Sequence, residues 1–140
     1  MKTINRLFII AIVFMGVFGM CSKAHALASG IYWDLYSQRA YAEIHKSADK
    51  SYIIEINWSS SAWEKTNWKM TAKFDKFSKK LVYKNCVSRE IYTSEEGKHT
   101  SVRTLYTKGR GYFTVVNGKL KWNGAADKNC RMCIFEREKQ

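Results

Sequence analysis

Proline is absent from the 140 residues, which excludes polyproline, collagen-like and Pro-rich linker architectures. Acidic residues are scarce: 12 Asp and Glu stand against 24 Lys and Arg, for a formal charge of +12 at pH 7. No internal repeat, low-complexity tract or domain boundary interrupts the chain, and its length suits one domain with one core. The sequence also lacks a nucleophile elbow, an H-E-x-x-H motif, a phosphate loop and a His–acid pair at diagnostic spacing. Those gaps argue against an enzyme. What the chain does have is apolar content, 46% hydrophobic and 14% aromatic, enough to exclude intrinsic disorder.

Only one long apolar run occurs, and it lies at the start. Lys2 and Arg6 precede Leu7–Phe18, and Ala24-His25-Ala26 supplies a small-x-small cleavage site. The run is shorter than the roughly 20 residues a membrane helix needs. Residues 1–26 therefore read as a secretory signal peptide, residues 27–140 as a single exported domain, and no transmembrane segment is expected after cleavage. Lipid attachment at Cys21 is the rival reading, opposed by Met20 where a small residue is preferred. Cleavage removes Lys2, Arg6 and Lys23 with no acid, lowering the charge from +12 to +9. The mature chain is expected to be periplasmic or secreted.

From Ile31 onward the pattern is alternation, the signature of half-buried strands. Trp68, Met70, Ala72 and Phe74 fall on one face, and Lys69, Thr71, Lys73 and Asp75 on the other. Tyr52, Ile54, Ile56 and Trp58 repeat the pattern. Further strands are expected at Ile31–Tyr36, Ala40–His45, Leu81–Cys86, Ile91–Thr93, Val102–Thr107, Tyr112–Val116, Leu120–Asn123 and Cys130–Arg137. Asn117-Gly118 predicts a type I′ hairpin turn, which needs positive φ at both residues. Ser47–Lys50, Asp75–Lys79, Glu95–Lys98 and Lys108-Gly109-Arg110-Gly111 read as turns. Ser61-Ala62-Trp63-Glu64 fits a capping box and predicts one helical turn. The tail Glu136–Gln140 is expected to fray. Short connections imply an all-β antiparallel meander, closing into a barrel of roughly eight strands because closure removes exposed edges. A β-sandwich is the alternative.

Gly30-Ile31-Tyr32-Trp33, Ser37-Gln38-Arg39-Ala40 and Ile54–Glu64, with Phe74-Asp75, Leu81-Val82-Tyr83, Gly109–Phe113, Leu120-Lys121-Trp122 and Cys133-Ile134-Phe135, form a distinctive order. In these dispersed positions the mature chain resembles a family of small secreted bacterial barrel domains of uncharacterised function. The resemblance implies a lipocalin-like or avidin-like barrel and no particular chemistry.

Most of the five tryptophans read as core, since large aromatics fill small barrels. Trp63 differs, because it sits in a polar loop beside Ser59, Ser60 and Ser61. Ligand sites in barrels lie at the mouth, so Trp63, Ser59, Ser60 and Ser61 become candidate ligand contacts, with Trp58 as the cavity wall. A tryptophan plugging the barrel end explains Trp63 equally, and Arg39 joins the candidates although a guanidinium stacked on a tryptophan and closing the barrel end is the favoured reading there. An exported chain meets an oxidising compartment, so Cys86 is expected to pair with Cys133, or alternatively Cys130. Cys130-x-x-Cys133 has redox or zinc spacing, but no βαβ context and no fourth ligand at motif spacing. No metal or cofactor is expected.

The function expected is therefore a non-catalytic binding protein for a small ligand or an anionic cell-envelope component. A basic surface-adhering module with a plugged barrel is the alternative, and a lysozyme-inhibitor-like role a minor one. No nucleic-acid motif accompanies the charge, so a nucleic-acid partner is not expected.

Overall fold

The computed structural model describes residues 27–124 and 133–140. The expected signal peptide, Cys21 and Cys130 lie outside the described residues. Eight antiparallel strands follow one another: β1 (Gly30–Asp34), β2 (Ala40–Lys46), β3 (Tyr52–Ser59), β4 (Glu64–Asp75), β5 (Lys80–Thr93), β6 (Thr100–Val116), β7 (Lys119–Gly124) and β8 (Ile134–Arg137). Neighbours in sequence are neighbours in space, and β8 pairs with β1 to close a meander barrel. Closure excludes the sandwich. No helix occurs among the described residues.

Alternation decides what goes inside. On β3, Tyr52, Ile54 and Ile56 are buried and Trp58 packs against the core; on β4, Trp68, Met70 and Ala72 are buried. Phe74 keeps the inner side, opposite Leu81, but lies at the rim beside the β4–β5 turn and is exposed. An eight-stranded barrel has an interior just wide enough for side chains, and here aromatics fill it. Trp122 meets Trp68 edge-on at 5.3 Å and stacks on Phe113 at 6.2 Å, while Tyr83 lies 5.7 Å from Phe113. The Trp122 indole N–H donates to the Tyr83 hydroxyl at 2.8 Å, which satisfies a donor that burial would otherwise strand.

Asn117 and Gly118 have φ of 52° and 74°, as the type I′ turn requires. Other expectations are corrected. Lys108–Gly111 is not a turn; it lies within β6, and the segments 81–86 and 91–93 likewise belong to one long β5. Register shifts around Cys86 and Ser88 mark bulges in this pair, and bulges break the two-residue period that would have revealed continuous strands. Gly109 and Gly111 serve packing there. A Cβ on Gly109 would come within 2.5 Å of the Tyr106 ring, and one on Gly111 would collide with the Tyr83 hydroxyl and the Asn123 carbonyl. No helical turn starts at Ser61. Its Oγ accepts the Trp63 and Glu64 N–H groups, but the chain turns directly into β4. Glu136 and Arg137 do not fray, because they pair with Trp33 and Tyr32 across the closing seam.

Candidate functional site

The β1–β2, β3–β4 and β5–β6 connections share one end of the barrel, called here the upper end. Most of the sequence-derived candidates gather on it. Ala40 opens β2 opposite Trp58, and the Ser59 N–H donates to the Arg39 carbonyl at 3.0 Å. Arg39, Trp58 and Ser59 are thus brought together by backbone pairing. The Arg39 side chain is exposed and stacks on no tryptophan; the cation–π contact among the described residues is Lys80 over Tyr112 at 4.1 Å.

The serine loop is occupied with its own turn. Ser60 and Ser61 N–H groups donate to the Glu64 carbonyl at 2.9 and 3.2 Å, and Ser61 Oγ receives two backbone donors, as above. Trp63 is 40% exposed, while its carbonyl accepts the Thr93 N–H at 2.7 Å. It rides on the β4–β5 pair, fixed by backbone rather than by burial.

The cavity at this end has other walls. Trp33, Asp34, Leu35 and Gln38 line a solvent-open space of about 380 Å³ at the rim. Trp58 and Trp63 are not among its lining residues. Asp34 occupies an inner-face position two residues after Tyr32 and is only 3% exposed. Its Oδ2 accepts the Ser37 backbone N–H at 2.8 Å and the Ser37 hydroxyl. Its Oδ1 is buried and receives no donor among the described residues. Gln38 closes the turn in the left-handed region, at φ 54°.

Outside the barrel, a row of paired residues runs from this rim across the sheet: Trp33, Tyr41, Asn57, Asn67 and Arg89. The Trp33 and Tyr41 rings lie 5.3 Å apart. Asn67 donates to Asn57 Oδ1 at 2.9 Å and to Glu55 Oε1 at 2.8 Å, which explains how two outward amides tolerate burial. Burial raises the Tyr41 hydroxyl pKa, and the Glu43 and Glu55 carboxyls add to the rise.

Cys86 and Cys133 both enter the barrel core, as the shared face of Cys133 and Phe135 implies. No disulfide is present among the described residues, which do not include Cys130. The pairing stays a proposal. Among the described residues no group of His, Cys, Asp and Glu forms a metal-binding cluster, and no helix is long and apolar enough to cross a membrane.

Comparison with family models, curated proteins and solved structures finds no match. The site must be read from its own chemistry. Asp34 and Gln38 escaped the sequence reading because a lone acid on an inner strand face has no spacing motif. The signal that could have found Asp34 is the polar break in the Tyr32-x-Asp34 alternation.

Proposed function

We propose that this chain is an exported, non-catalytic binding protein that takes a small ligand at the upper end of a lipocalin-like barrel. The observation carrying this reading is the contrast between a filled interior and a cavity at the rim. Trp68, Trp122, Phe113 and Tyr83 pack ring against ring inside the barrel, whereas the space beside Trp33 and Asp34 lies at the mouth, where a ligand is received. Arg39 and Ser59 are joined by a backbone hydrogen bond at the same end, and Trp58 packs against the core opposite Ala40.

A second reading has its own support. Lys80, Lys84, Arg110, Lys119 and Lys121 alternate onto the outer face of β5, β6 and β7, where Lys80, Thr114 and Lys121 form one row. Such a face suits adhesion to an anionic envelope component. Native mass spectrometry of protein purified from its own host tests the first reading, with a retained small molecule as the expected result. An empty protein that binds envelope fractions in a steeply salt-dependent manner would replace it with the surface module.

A further inference from the structure

We propose that the cavity beside Asp34 takes a small organic cation, an ammonium group on an apolar body, with the Asp34 carboxyl as its anchor. This deepens the binding-end reading and rests on it.

The argument starts from hydrogen-bond satisfaction. Buried polar atoms are almost always paired, and an unpaired one carries a desolvation cost. Asp34 Oδ1 is such an atom, whereas Oδ2 on the same carboxyl already has two donors from Ser37. No Lys, Arg or His forms an ion pair with Asp34 among the described residues. Among the described residues Oδ1 therefore lacks a donor and the carboxyl a counter-charge, and an ammonium supplies both at once. A neutral hydroxyl supplies only the first, and charge-assisted bonds are the stronger kind.

The remaining walls fit the same class. Trp33 is half open to solvent and is backed by Tyr41, so its ring is held in place for a cation–π contact. Leu35 gives apolar area to the ligand's body, and Gln38 adds an amide. The chain's net positive charge and the exposed Arg39 beside Gln38 oppose a cation, while charges farther than about 10 Å are screened at 0.1 M salt.

The test titrates ¹⁵N-labelled protein with n-butylammonium, n-butanol and butyrate while following the Trp33 indole and the Asp34 and Gln38 amides. Saturable shifts are expected with butylammonium, at least about tenfold tighter than with butanol, a difference of about 1.4 kcal/mol. Butyrate should leave these signals in place. Asp34→Asn should erase the preference while the melting temperature shows a folded barrel. Should that variant not fold, Trp33→Leu serves: a reduced preference for the cation supports the proposal and an unchanged one overturns it. Equal binding of butanol and butylammonium overturns the cation class yet leaves the binding end standing. No response to any probe overturns the cation class, and only an empty native mass spectrum as well removes the binding end.

Discussion

Gly111→Ala is the sharpest probe of the barrel's packing. In a turn, alanine would be tolerated at small cost; within β6 its Cβ has nowhere to go. It would run into the Tyr83 hydroxyl on one side and the Asn123 carbonyl on the other. The backbone carbonyl belongs to the β6–β7 ladder, where Gly111 pairs with Gly124, so the side chain of Tyr83 must move. Moving it takes the acceptor away from the Trp122 indole N–H, now at 2.8 Å. Overpacking costs about 1–3 kcal/mol, and a stranded buried donor another ~1–3 kcal/mol. The expected loss is about 2–6 kcal/mol. Urea unfolding followed by tryptophan fluorescence should show the midpoint falling by about 1–4 M, given a slope of about 1.5 kcal/mol/M for a domain of this size. Tyr83→Phe combined with Gly111→Ala should cost less than the sum of the single changes, because both act on the same bond. A stability for Gly111→Ala within about 0.5 kcal/mol of the parent, the ordinary range of surface changes, would refute the close approach.

Asn67→Ala removes the amide that joins Asn57 and Glu55 and should cost about 1–3 kcal/mol in thermal or urea unfolding. Asp49 and Asp75 have carboxyl pKa values below the ordinary one, chiefly through side-chain hydrogen bonds from Ser51 and Ser78 respectively. Their contribution is fully present above the ordinary carboxylate pKa of about 3.9 and is lost as the pH falls through the lower folded values. Asp49→Asn and Asp75→Asn should therefore flatten the decline in melting temperature on acidification, as scanning fluorimetry would show. A disulfide from Cys86 to Cys130 or Cys133 should appear as a single alkylatable thiol in the signal-free, oxidised protein; its reduction should cost roughly 3–4 kcal/mol.

The barrel was readable because its strongest cues are local. Inner-face runs such as Tyr52–Trp58 carry an uninterrupted two-residue period, and Asn117-Gly118 occurs where a hairpin needs positive φ. β5 and β6 resisted because bulges around Cys86 and Ser88 break that period, and because a glycine chosen for close packing looks like a glycine chosen for a turn. Gly109 and Gly111 are the former. The serine loop was readable as a structured connection but not as strand entry, since Ser61 makes the same Oγ contact to Glu64 that begins a helix. The upper end was anticipated through Arg39, Ser59 and Trp58, yet its cavity wall was not. Whether Asp34 has donors for both oxygens depends on how β1, its turn and β8 meet in space, which no window of sequence contains.

The four-residue β8 closes the barrel, pairing with β1 through Tyr32, Trp33 and Asp34 and with β7 through Leu120 and Lys121. By contrast, β5 and β6 run 14 and 17 residues along each other. Opening should therefore begin at this short stitch rather than spread evenly. Amide exchange would then be fastest along Ile134–Arg137 and slowest in the β4–β6 sheet, with Phe135 uncovered in each opening. Asp34 lies opposite Phe135 on that same stitch. A molecule bound against Asp34 would act as a clasp, slowing the exchange of β8 without touching the core.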